Sequence, residues 1–430
     1  MNKQLKRLLA MSEKPSRLIV GLMSGTSLDG LDIALCKVSG VNESSKLEVI
    51  SFTTIAYDDS YRSRIVELFA KPNGRLIDVC TANNWVAKTH ADMLMKCLKR
   101  WDTDPNEIDL IASHGQTIFH APDNQTPSTL QIGDGDHIAQ ITNIITISDF
   151  RQKHVAAGGD GAPLVPYADY LLYKDPKQDR LLLNIGGIAN FTLLPAACQF
   201  KDMICTDTGP GNTLMDAYVK RETNGHLQFD DRGAIALTGD VDYGLLQELK
   251  NTRFLTQNAP KSTGQELFNL SYVDQAVNHC KQMRYAEQLS LEITDKDLLR
   301  EALHNKNQIS FENVMATLNQ FTADTISEEI NTQLNSANID PTKLHIYTSG
   351  GGPKNKVLMN NIAINLPECH FHHFEVLGLK ADSKEAALFA LLANQSIFGD
   401  TQVYKSANAS HSDEIHSGPA VSLGKISLPN

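Results

Sequence analysis

One local pattern occurs twice in this chain and limits its possible folds more than any other feature: an apolar strand, a turn of small residues and a second apolar strand. The first copy covers residues 18–35, LIVGLMSGTSLDGLDIAL, with its polar turn at Met23–Gly30. The second copy covers residues 180–194, RLLLNIGGIANFTLL, and turns at Gly186-Gly187. A third glycine-rich turn, TSGGGPKN at residues 348–355, joins a predicted strand to a predicted helix. Glycine turns at strand ends, with carboxylates between them, suggest a nucleotide held between two halves of the molecule.

The first turn carries groups that suit phosphate and a divalent cation. Gly25 and Gly30 let a ligand approach the backbone closely. Asp29 and Asp32 supply carboxylates, which are ligands that Mg²⁺ prefers. Backbone N–H groups and hydroxyls suit phosphate oxygens, and the hydroxyls come from Ser24, Thr26 and Ser27. On this turn alone, an ordinary hairpin with a polar tip explains the residues equally well.

Composition excludes several classes of partner. The chain has 430 residues, 41% hydrophobic and 21% charged, with a net charge of -11 and no dense Lys/Arg block. We therefore expect no nucleic-acid or membrane partner, and any phosphate site must be local. The seven cysteines include no CxxC pair, which favours a reducing compartment over a disulfide framework or a zinc site. The apolar run in the first 16 residues is too short for a signal peptide or membrane span.

Two polar clusters are candidate catalytic or binding sites. The predicted strand at 109–112 runs into Ser113-His114-Gly115-Gln116-Thr117, and ligands bind at such strand ends in open α/β sheets. His114 either lines a site there or is a hydrogen-bonded structural histidine. The stretch DTGPGN at 207–212 places Asp207 beside a Gly-Pro-Gly turn and a predicted helix. Asp207 is a candidate general base, and an N-cap role competes with that interpretation.

The sequence contains neither a GxxxxGK[ST] motif nor a kinase-type catalytic loop, so it is not a P-loop protein. It closely resembles the anhydro-N-acetylmuramic acid kinase family of the sugar kinase/heat-shock/actin superfamily. The matching stretches follow the family's order over about residues 18–392 and are GLMSGTSLDGLDIAL, ASHGQTIFH, LQIGDGDHIA, SDFRQKHVAAGGDGAPLVP, LNIGGIANFTLL, DTGPGNTLMDA, APKSTGQELFN, TSGGGPKN and ADSKEAALFALL. The related levoglucosan kinases share much of this pattern.

The resemblance implies an α/β fold with two RNase H-like domains, of the actin and sugar-kinase type, and a nucleotide cleft between them. Domain I would comprise residues 1–152 together with about 378–430, and domain II about residues 153–377. Domain I would carry the first phosphate hairpin and the C-terminal helix. Domain II would carry the second phosphate hairpin at Asn184–Asn190, the catalytic Asp and the adenosine-side turn.

The resemblance also implies a reaction. Water attacks the anomeric carbon of 1,6-anhydro-N-acetylmuramic acid and opens the anhydro bridge, while O6 takes the γ-phosphoryl group of ATP. The product is N-acetylmuramic acid 6-phosphate, formed in cell-wall recycling. The implied cofactors are ATP and Mg²⁺, the implied compartment is the cytoplasm, and the implied assembly is a homodimer.

Site residues follow from the matching motifs. The resemblance makes Asp207 the base acting on water and Glu385 a carboxylate facing the reacting centre. The alternative for Glu385 is a structural role, because a negative charge in the first turn of a helix stabilises that helix by about 0.3–1 kcal/mol. Asp29, with Asp32 as a second candidate, would hold Mg²⁺. ATP and phosphate would contact Ser24, Gly25, Thr26, Ser27, Leu28, Asp29, Gly30, Leu31, Asp32, Asn184, Gly186, Gly187, Gly350, Gly351, Gly352 and Asn355. The sugar would contact His114, Gly115, Gln116, Thr117, Arg151, Gly209 and Asn212.

The chain departs from the family pattern at several points. Asp160 stands where the pattern has Gln, and His154 stands where an acidic residue usually follows DFR. The charged segment at 284–307 and the polar tail are extra, and Lys261 is either a phosphate ligand or a solvated lysine. Two other hypotheses remain: a kinase for a different anhydrosugar such as levoglucosan, and a non-catalytic, actin-like nucleotide-binding module.

Overall fold

The computed structural model describes residues 2–121, 126–161, 164–290, 309–403 and 420–430. The chain forms two compact units, one made of Met1–Lys174 with Leu377–Asn430 and the other of Asp175–Val376. Residues 153–174, which were expected in domain II, therefore pack with the first unit.

The secondary-structure elements are numbered in chain order. The strands are β1 Ser16–Ser24, β2 Gly30–Ser39, β3 Lys46–Ala56, β4 Leu110–Ala121, β5 Ser128–Ile132, β6 Ile145–Ser148, β7 Asp179–Ile185, β8 Ile188–Leu194, β9 Ile204–Pro210, β10 Leu344–Gly350, β11 His370–His373, β12 Gln402–Val403, β13 Ala420–Val421 and β14 Lys425–Ser427. The helices are α1 Lys3–Ser12, α2 Asp59–Leu68, α3 Leu76–Arg100, α4 Gly135–Thr142, α5 Phe150–Ala156, α6 Val165–Tyr173, α7 Thr213–Glu222, α8 Tyr243–Lys250, α9 Leu270–Ser290, α10 Phe311–Ala337, α11 Lys356–Asn365 and α12 Lys384–Phe398.

The first unit is built on a mixed sheet of seven strands within the described residues, in the order β14-β6-β4-β1-β2-β3 with β5 on β4. Strands β1, β2 and β3 are consecutive antiparallel neighbours. Strand β4 then pairs parallel to β1, and β6 pairs parallel to β4. A parallel neighbour requires a crossover, and the chain between β3 and β4 supplies it through α2 and α3.

The second unit repeats this arrangement. Its sheet has the order β11-β10-β7-β8-β9, in which β7, β8 and β9 are antiparallel and β10 and β11 are parallel additions. Both sheets thus place an antiparallel meander first and two parallel strands on its other side. This topology confirms the predicted α/β class and the pair of related domains, and the predicted hairpins are β1–β2 and β7–β8.

Helices cover the sheets with the faces that their hydrophobic spacing predicts. In α3 the buried side recurs at Val86, His90, Leu94 and Leu98, as an amphipathic helix requires. Helix α10 is 27 residues long and buries much of its surface in the second unit's core. No helix among the described residues is long and apolar enough to cross a membrane.

One strand differs from its predicted bounds. Strand β4 continues through the polar cluster to Ala121, because residues 116–121 pair with β5. Asp207 lies within β9, opposite Asn190 of β8. Ser383 occupies the N-cap position of α12, and its hydroxyl donates to the Lys380 carbonyl. Most of the predicted charged insertion, from residue 291 onward, lies outside the described residues.

Helix α12 packs on β1, β2 and β4, and its closest approach is at Gly21 of β1. A Cβ atom built on Gly21 would lie 1.8 Å from the carbonyl oxygen of Ala386. That oxygen belongs to the helix backbone, so no side-chain rotation can relieve the overlap. The absence of a side chain at residue 21 therefore sets the distance between the C-terminal helix and the central strand.

We predict that Gly21→Ala lowers the free energy of unfolding by about 2 kcal/mol or more, because the helix must move away from the sheet. Thermal unfolding of the purified variant measures this loss. Gly244→Ala in α8 is the matched control, since its Cβ would meet nothing closer than 3.4 Å. Equal melting temperatures for Gly21→Ala and the wild type would contradict the packing argument.

Candidate functional site

The first hairpin turn, residues 25–29, is fixed from beneath by buried polar side chains. Ser24, at the end of β1, donates its hydroxyl to Gln116 Oε1 at 2.5 Å, and Gln116 Nε2 donates to the Gly25 carbonyl at 3.2 Å. Ser24 and Gln116 are both buried. Gln116 of β4 therefore holds both the last strand residue and the first turn residue, which leaves the turn's outer surface for a ligand.

A chain of hydrogen bonds continues from this turn into the core of the first unit. The Tyr57 hydroxyl donates to Ser24 Oγ at 2.8 Å and lies 2.9 Å from His90 Nε2. Burial lowers the pKa of His90 to about 3, so its imidazole is neutral. The Tyr61 hydroxyl lies 3.1 Å from the same nitrogen, so both tyrosine hydroxyls meet His90 Nε2. His90 lies on the buried face of α3, and its helical spacing in the sequence carries no signal of this connection to the turn.

Carboxylates gather beside the same hairpin. Asp29 accepts from the Ser27 hydroxyl and from the Gly30 amide, and Asp32 accepts from Thr54 Oγ1 at 2.5 Å. Burial raises the pKa of Asp32 to about 6, and the negative charges of its neighbours add to the rise; these neighbours are Asp29, Glu385 and Asp382. The site therefore has excess negative charge, which a bound cation would reduce.

Glu385 lies in the first turn of α12 with an exposed side chain. Loss of surrounding water raises its pKa, whereas Arg151 and Lys384 act to lower it. Glu385 is therefore close enough to Arg151 and Asp29 to interact with both charges.

His114 and Arg151 form a direct pair. Arg151 Nε donates to His114 Nε2 at 2.9 Å, and Arg151 NH1 donates to the Gly161 carbonyl at 3.0 Å. His114 Nδ1 lies 2.9 Å from the Gly115 carbonyl, so that nitrogen carries the proton. Burial lowers the pKa of His114 to about 3. Both of its ring nitrogens have protein partners, which fits a residue that orients Arg151.

The two departures from the family pattern lie next to each other. The His154 ring is buried against Gly159, where a Cβ would come within 2.1 Å of His154 Nε2. His154 Nδ1 accepts from the Gly161 amide at 3.1 Å. Burial lowers the pKa of His154, and the Asp160 charge opposes that change. His154 therefore supports the loop that also bonds Arg151.

In the second unit, the β7–β8 turn and the turn after β9 are joined backbone to backbone. The amides of Gly211 and Asn212 donate to the carbonyls of Gly187 and Gly186, each at 2.8 Å. A Cβ on Gly211 would lie 2.3 Å from the Gly186 oxygen, so only glycine fits there. Asn212 Nδ2 also donates to the Ile185 carbonyl.

The third glycine turn packs on the same hairpin. Gly350 has φ +87°, and a Cβ on it would lie 2.6 Å from the Ile185 oxygen. Gly352 packs as closely on the Ile185 side chain. Asn355 is buried and accepts from the Leu358 amide as the N-cap of α11, so its side chain already has a structural role. The structure thus brings together three glycine turns of the second unit: Gly186-Gly187, the turn at Gly211, and Gly350–Gly352.

Asp207 is held by the segment Lys261–Thr263. The Thr263 amide donates to Asp207 Oδ2 at 2.9 Å, and the Ser262 hydroxyl donates to the same oxygen at 3.2 Å. Burial raises the pKa of Asp207, the two donors counteract that rise, and the Glu266 charge adds to it. The other carboxylate oxygen has no hydrogen bond to a described residue. Ser262 and Thr263 were not predicted as partners of Asp207.

Lys261 is neither solvated nor a phosphate ligand in this arrangement. Its Nζ forms an ion pair with Glu329 Oε2 at 2.6 Å, and both side chains are buried. The ammonium also lies 4.9 Å from the centre of the Phe254 ring.

The remaining predicted ligands occupy varied surroundings. Thr26 and Ser27 are exposed on the first turn, Leu28 is buried at φ +56°, and Leu31 is buried in β2. Gly115 and Thr117 lie in β4, Asn184 lies at the end of β7, and Gly209 lies in β9 beside Thr325.

Among the described residues, no group of three or more His, Cys, Asp or Glu side chains is arranged to hold a metal ion.

Two units, each with an antiparallel three-strand meander and parallel strands on one side of it, define a two-domain α/β protein. The family described as anhydro-N-acetylmuramic acid kinase matches residues 17–412. The chain belongs to this family.

Curated relatives agree with that assignment. An anhydro-N-acetylmuramic acid kinase of Pseudoalteromonas atlantica is 42% identical, with 100% of both chains covered. One from Caldanaerobacter subterraneus subsp. tengcongensis is 39% identical over 98% of this chain and 100% of its own. Among solved structures, a ROK family glucokinase from Streptomyces griseus is 10% identical with a TM-score of 0.32, covering 87% of this chain and 97% of its own. So low a TM-score does not establish a shared fold.

We predict that Asp32→Asn stabilises the protein at pH 8 but not at pH 4. The pKa of Asp32 rises from 3.8 to about 6 on folding, so its ionisation weakens the folded state as pH rises through this range. The asparagine of the variant lacks that charge and keeps an oxygen for Thr54. Allowing for solvent screening, we expect a gain of about 1 kcal/mol at pH 8.

Chemical unfolding in metal-free buffer at both pH values measures the difference. Asp92→Asn, at an exposed position of α3, controls for the loss of one negative charge. A gain of the same size at pH 4 and pH 8 would show that the Asp32 charge is not its source.

Proposed function

We propose that this protein is an ATP-dependent kinase that hydrolytically opens 1,6-anhydro-N-acetylmuramic acid and phosphorylates O6. The products are N-acetylmuramic acid 6-phosphate and ADP. One observation carries the proposal: the family match extends over residues 17–412 and so includes every site residue named above. Full-length relatives bearing this activity as their name support the same conclusion.

In this proposal Asp207 accepts a proton from the attacking water. The water oxygen bonds to the anomeric carbon, the bond from that carbon to O6 breaks, and O6 bonds to the γ-phosphorus as ADP leaves. Asp207 suits this role because Thr263 and Ser262 fix one carboxylate oxygen and leave the other for the water. Its raised pKa makes it a stronger base than an ordinary aspartate.

The first hairpin would position the polyphosphate. Its turn offers backbone N–H groups, and Gln116 and Ser24 keep it in place. The carboxylates of Asp29 and Asp32 would suit Mg²⁺, because burial and the nearby negative charge of Asp29 both disfavour the ionised form of Asp32 and a bound cation would favour it. Mg²⁺ commonly binds one or two carboxylates together with substrate phosphates, where it neutralises developing charge.

The sugar would be recognised by charge and shape in the first unit and by amides in the second. Arg151, oriented by His114, would pair with the lactyl carboxylate of the substrate. Glu385 would face the reacting centre, and Gly209 and Asn212 would contact the sugar. On the nucleotide side, the close-packed turns at Gly186-Gly187 and Gly350–Gly352 would bind phosphate and adenosine, with Asn184 between them.

We also propose a cytoplasmic location, where ATP is available, and a homodimer, which is the family's usual assembly. Light scattering of the purified chain of 47.3 kDa tests the second point.

We predict ATP turnover with 1,6-anhydro-N-acetylmuramic acid and little or none with levoglucosan. Levoglucosan lacks the lactyl carboxylate that Arg151 would bind, so a charged contact would be lost. Coupled ADP release with each sugar, at equal concentration, measures the preference.

Turnover with levoglucosan alone would show that the protein is a kinase but that the proposed substrate is wrong. No turnover with either sugar, together with measurable ATP binding, would support the non-catalytic module instead.

We predict that Asp207→Asn lowers kcat about 10²-fold or more, since asparagine keeps the shape and the Thr263 contact but cannot accept a proton. The wild-type rate should fall as pH drops through the pKa of Asp207, at a higher pH than an ordinary aspartate would give. Asp274→Asn, which changes a surface ion pair with Arg221, is the control and should keep full activity. Wild-type turnover by Asp207→Asn would exclude this mechanism.

A further inference from the structure

Lys261 begins the segment that holds Asp207, and its backbone is tied to β9 at several points. The Asp207 amide donates to the Lys261 carbonyl at 3.0 Å. The Lys261 amide donates to Thr206 Oγ1 at 3.1 Å. The next two residues, Ser262 and Thr263, then donate to the Asp207 carboxylate. The position of Lys261 therefore determines where both donors lie.

The Lys261 side chain fixes that position through a buried ion pair. Its Nζ lies 2.6 Å from Glu329 Oε2, and the Lys261 and Glu329 side chains are only 4% and 7% exposed. Lys261 Nζ also donates to the Gln257 carbonyl at 3.4 Å. The other Glu329 oxygen accepts from Gln333 one helical turn along α10, at 2.8 Å. This ion pair thus joins a loop to the longest helix of the second unit.

A buried ion pair contributes little net stability, because the cost of removing two charges from water offsets their attraction. It does fix geometry, because either charge left alone in the interior is strongly unfavourable. Here the fixed segment is the one that supplies donors to the proposed base. The mechanism itself uses neither charge.

We propose that the Lys261–Glu329 ion pair is a positioning device for Asp207: it holds the donors at residues 262–263 against the carboxylate. This inference rests on the proposed role of Asp207 as the base. Lys261 is a positioning residue and not a catalytic one, since it meets neither substrate nor the reacting atoms in the proposed reaction.

The test compares two lysines that pair with the same helix. Lys261→Met removes one charge of the proposed device. Lys250→Met is the matched control, because Lys250 Nζ lies 2.6 Å from Asp324 Oδ2 on α10 and does not bond the Asp207 segment. Both variants lose an ion pair, so a merely structural role predicts the same outcome for both.

The primary readout is the titration of Asp207 by carboxyl ¹³C NMR, with the signal assigned by its absence in Asp207→Asn. We expect Lys261→Met to raise the Asp207 pKa above the wild-type value, because the two donors that stabilise the carboxylate are no longer held. Glu266 is the other charged group that acts on Asp207, and it remains in all variants. Lys250→Met should leave the titration unchanged. An unchanged titration in Lys261→Met, or an equal rise in both variants, would overturn the proposal.

The titration needs no turnover, so its result is separate from the success or failure of the proposed reaction. Where the enzyme turns over, kcat of Lys261→Met should fall about tenfold, with KM for ATP unchanged. The acid side of its pH–rate profile should also move to higher pH. If Lys261→Met does not fold, the double variant Lys261→Met/Glu329→Met removes both buried charges and restores a neutral interior. A wild-type Asp207 titration in that double variant would also reject the ion pair as the positioning device.

Discussion

Close approach of one backbone to another is the constraint on which both units depend. In the second unit, Gly211 and Asn212 donate to the carbonyls of the β7–β8 turn, and this contact exists only because position 211 carries no side chain. In the first unit, Gly21 lets the backbone of α12 lie on the central strand. The backbone contact at Gly211 fixes the turn of the second hairpin, whereas the buried side chains of Gln116 and Ser24 hold the turn of the first. The proposed binding groups therefore depend on backbone packing in one unit and on a buried polar network in the other.

Neutral histidines and charged groups have different roles around the first hairpin. His90 and His114 each have a pKa of about 3, so they make hydrogen bonds without adding charge. The charge near the hairpin comes from the carboxylates around Asp32 and from Arg151. Such a division would suit the proposed site for a cation and an anionic sugar, because the network that supports the charged groups is itself neutral.

The fold could be predicted from the sequence because its signals are local. Apolar strands and glycine turns each depend on neighbouring residues, and the predicted hairpins were found where expected. The site was predicted less completely. The Lys261–Glu329 pair joins residues far apart in the chain, and a lone lysine in a polar turn gives no sign of such a partner. Likewise the Tyr57–Ser24 bond depends on where the segment between β3 and α2 meets the hairpin.

The two hairpins, similar in pattern, differ in charge, and this difference bears on the proposed mechanism. The β1–β2 hairpin carries Asp29 in its turn and Asp32 opposite Met23, whereas in the β7–β8 hairpin the neutral Asn184 lies opposite the neutral Asn190. A polyphosphate with a bound cation requires both kinds of group, carboxylates for the metal and neutral donors for phosphate oxygens. Asp207 lies in β9 opposite Asn190 of the second hairpin. Burial raises its pKa, while the Thr263 amide and the Ser262 hydroxyl counteract that rise, so its basicity reflects a balance between burial and two donors that belong to neither hairpin turn.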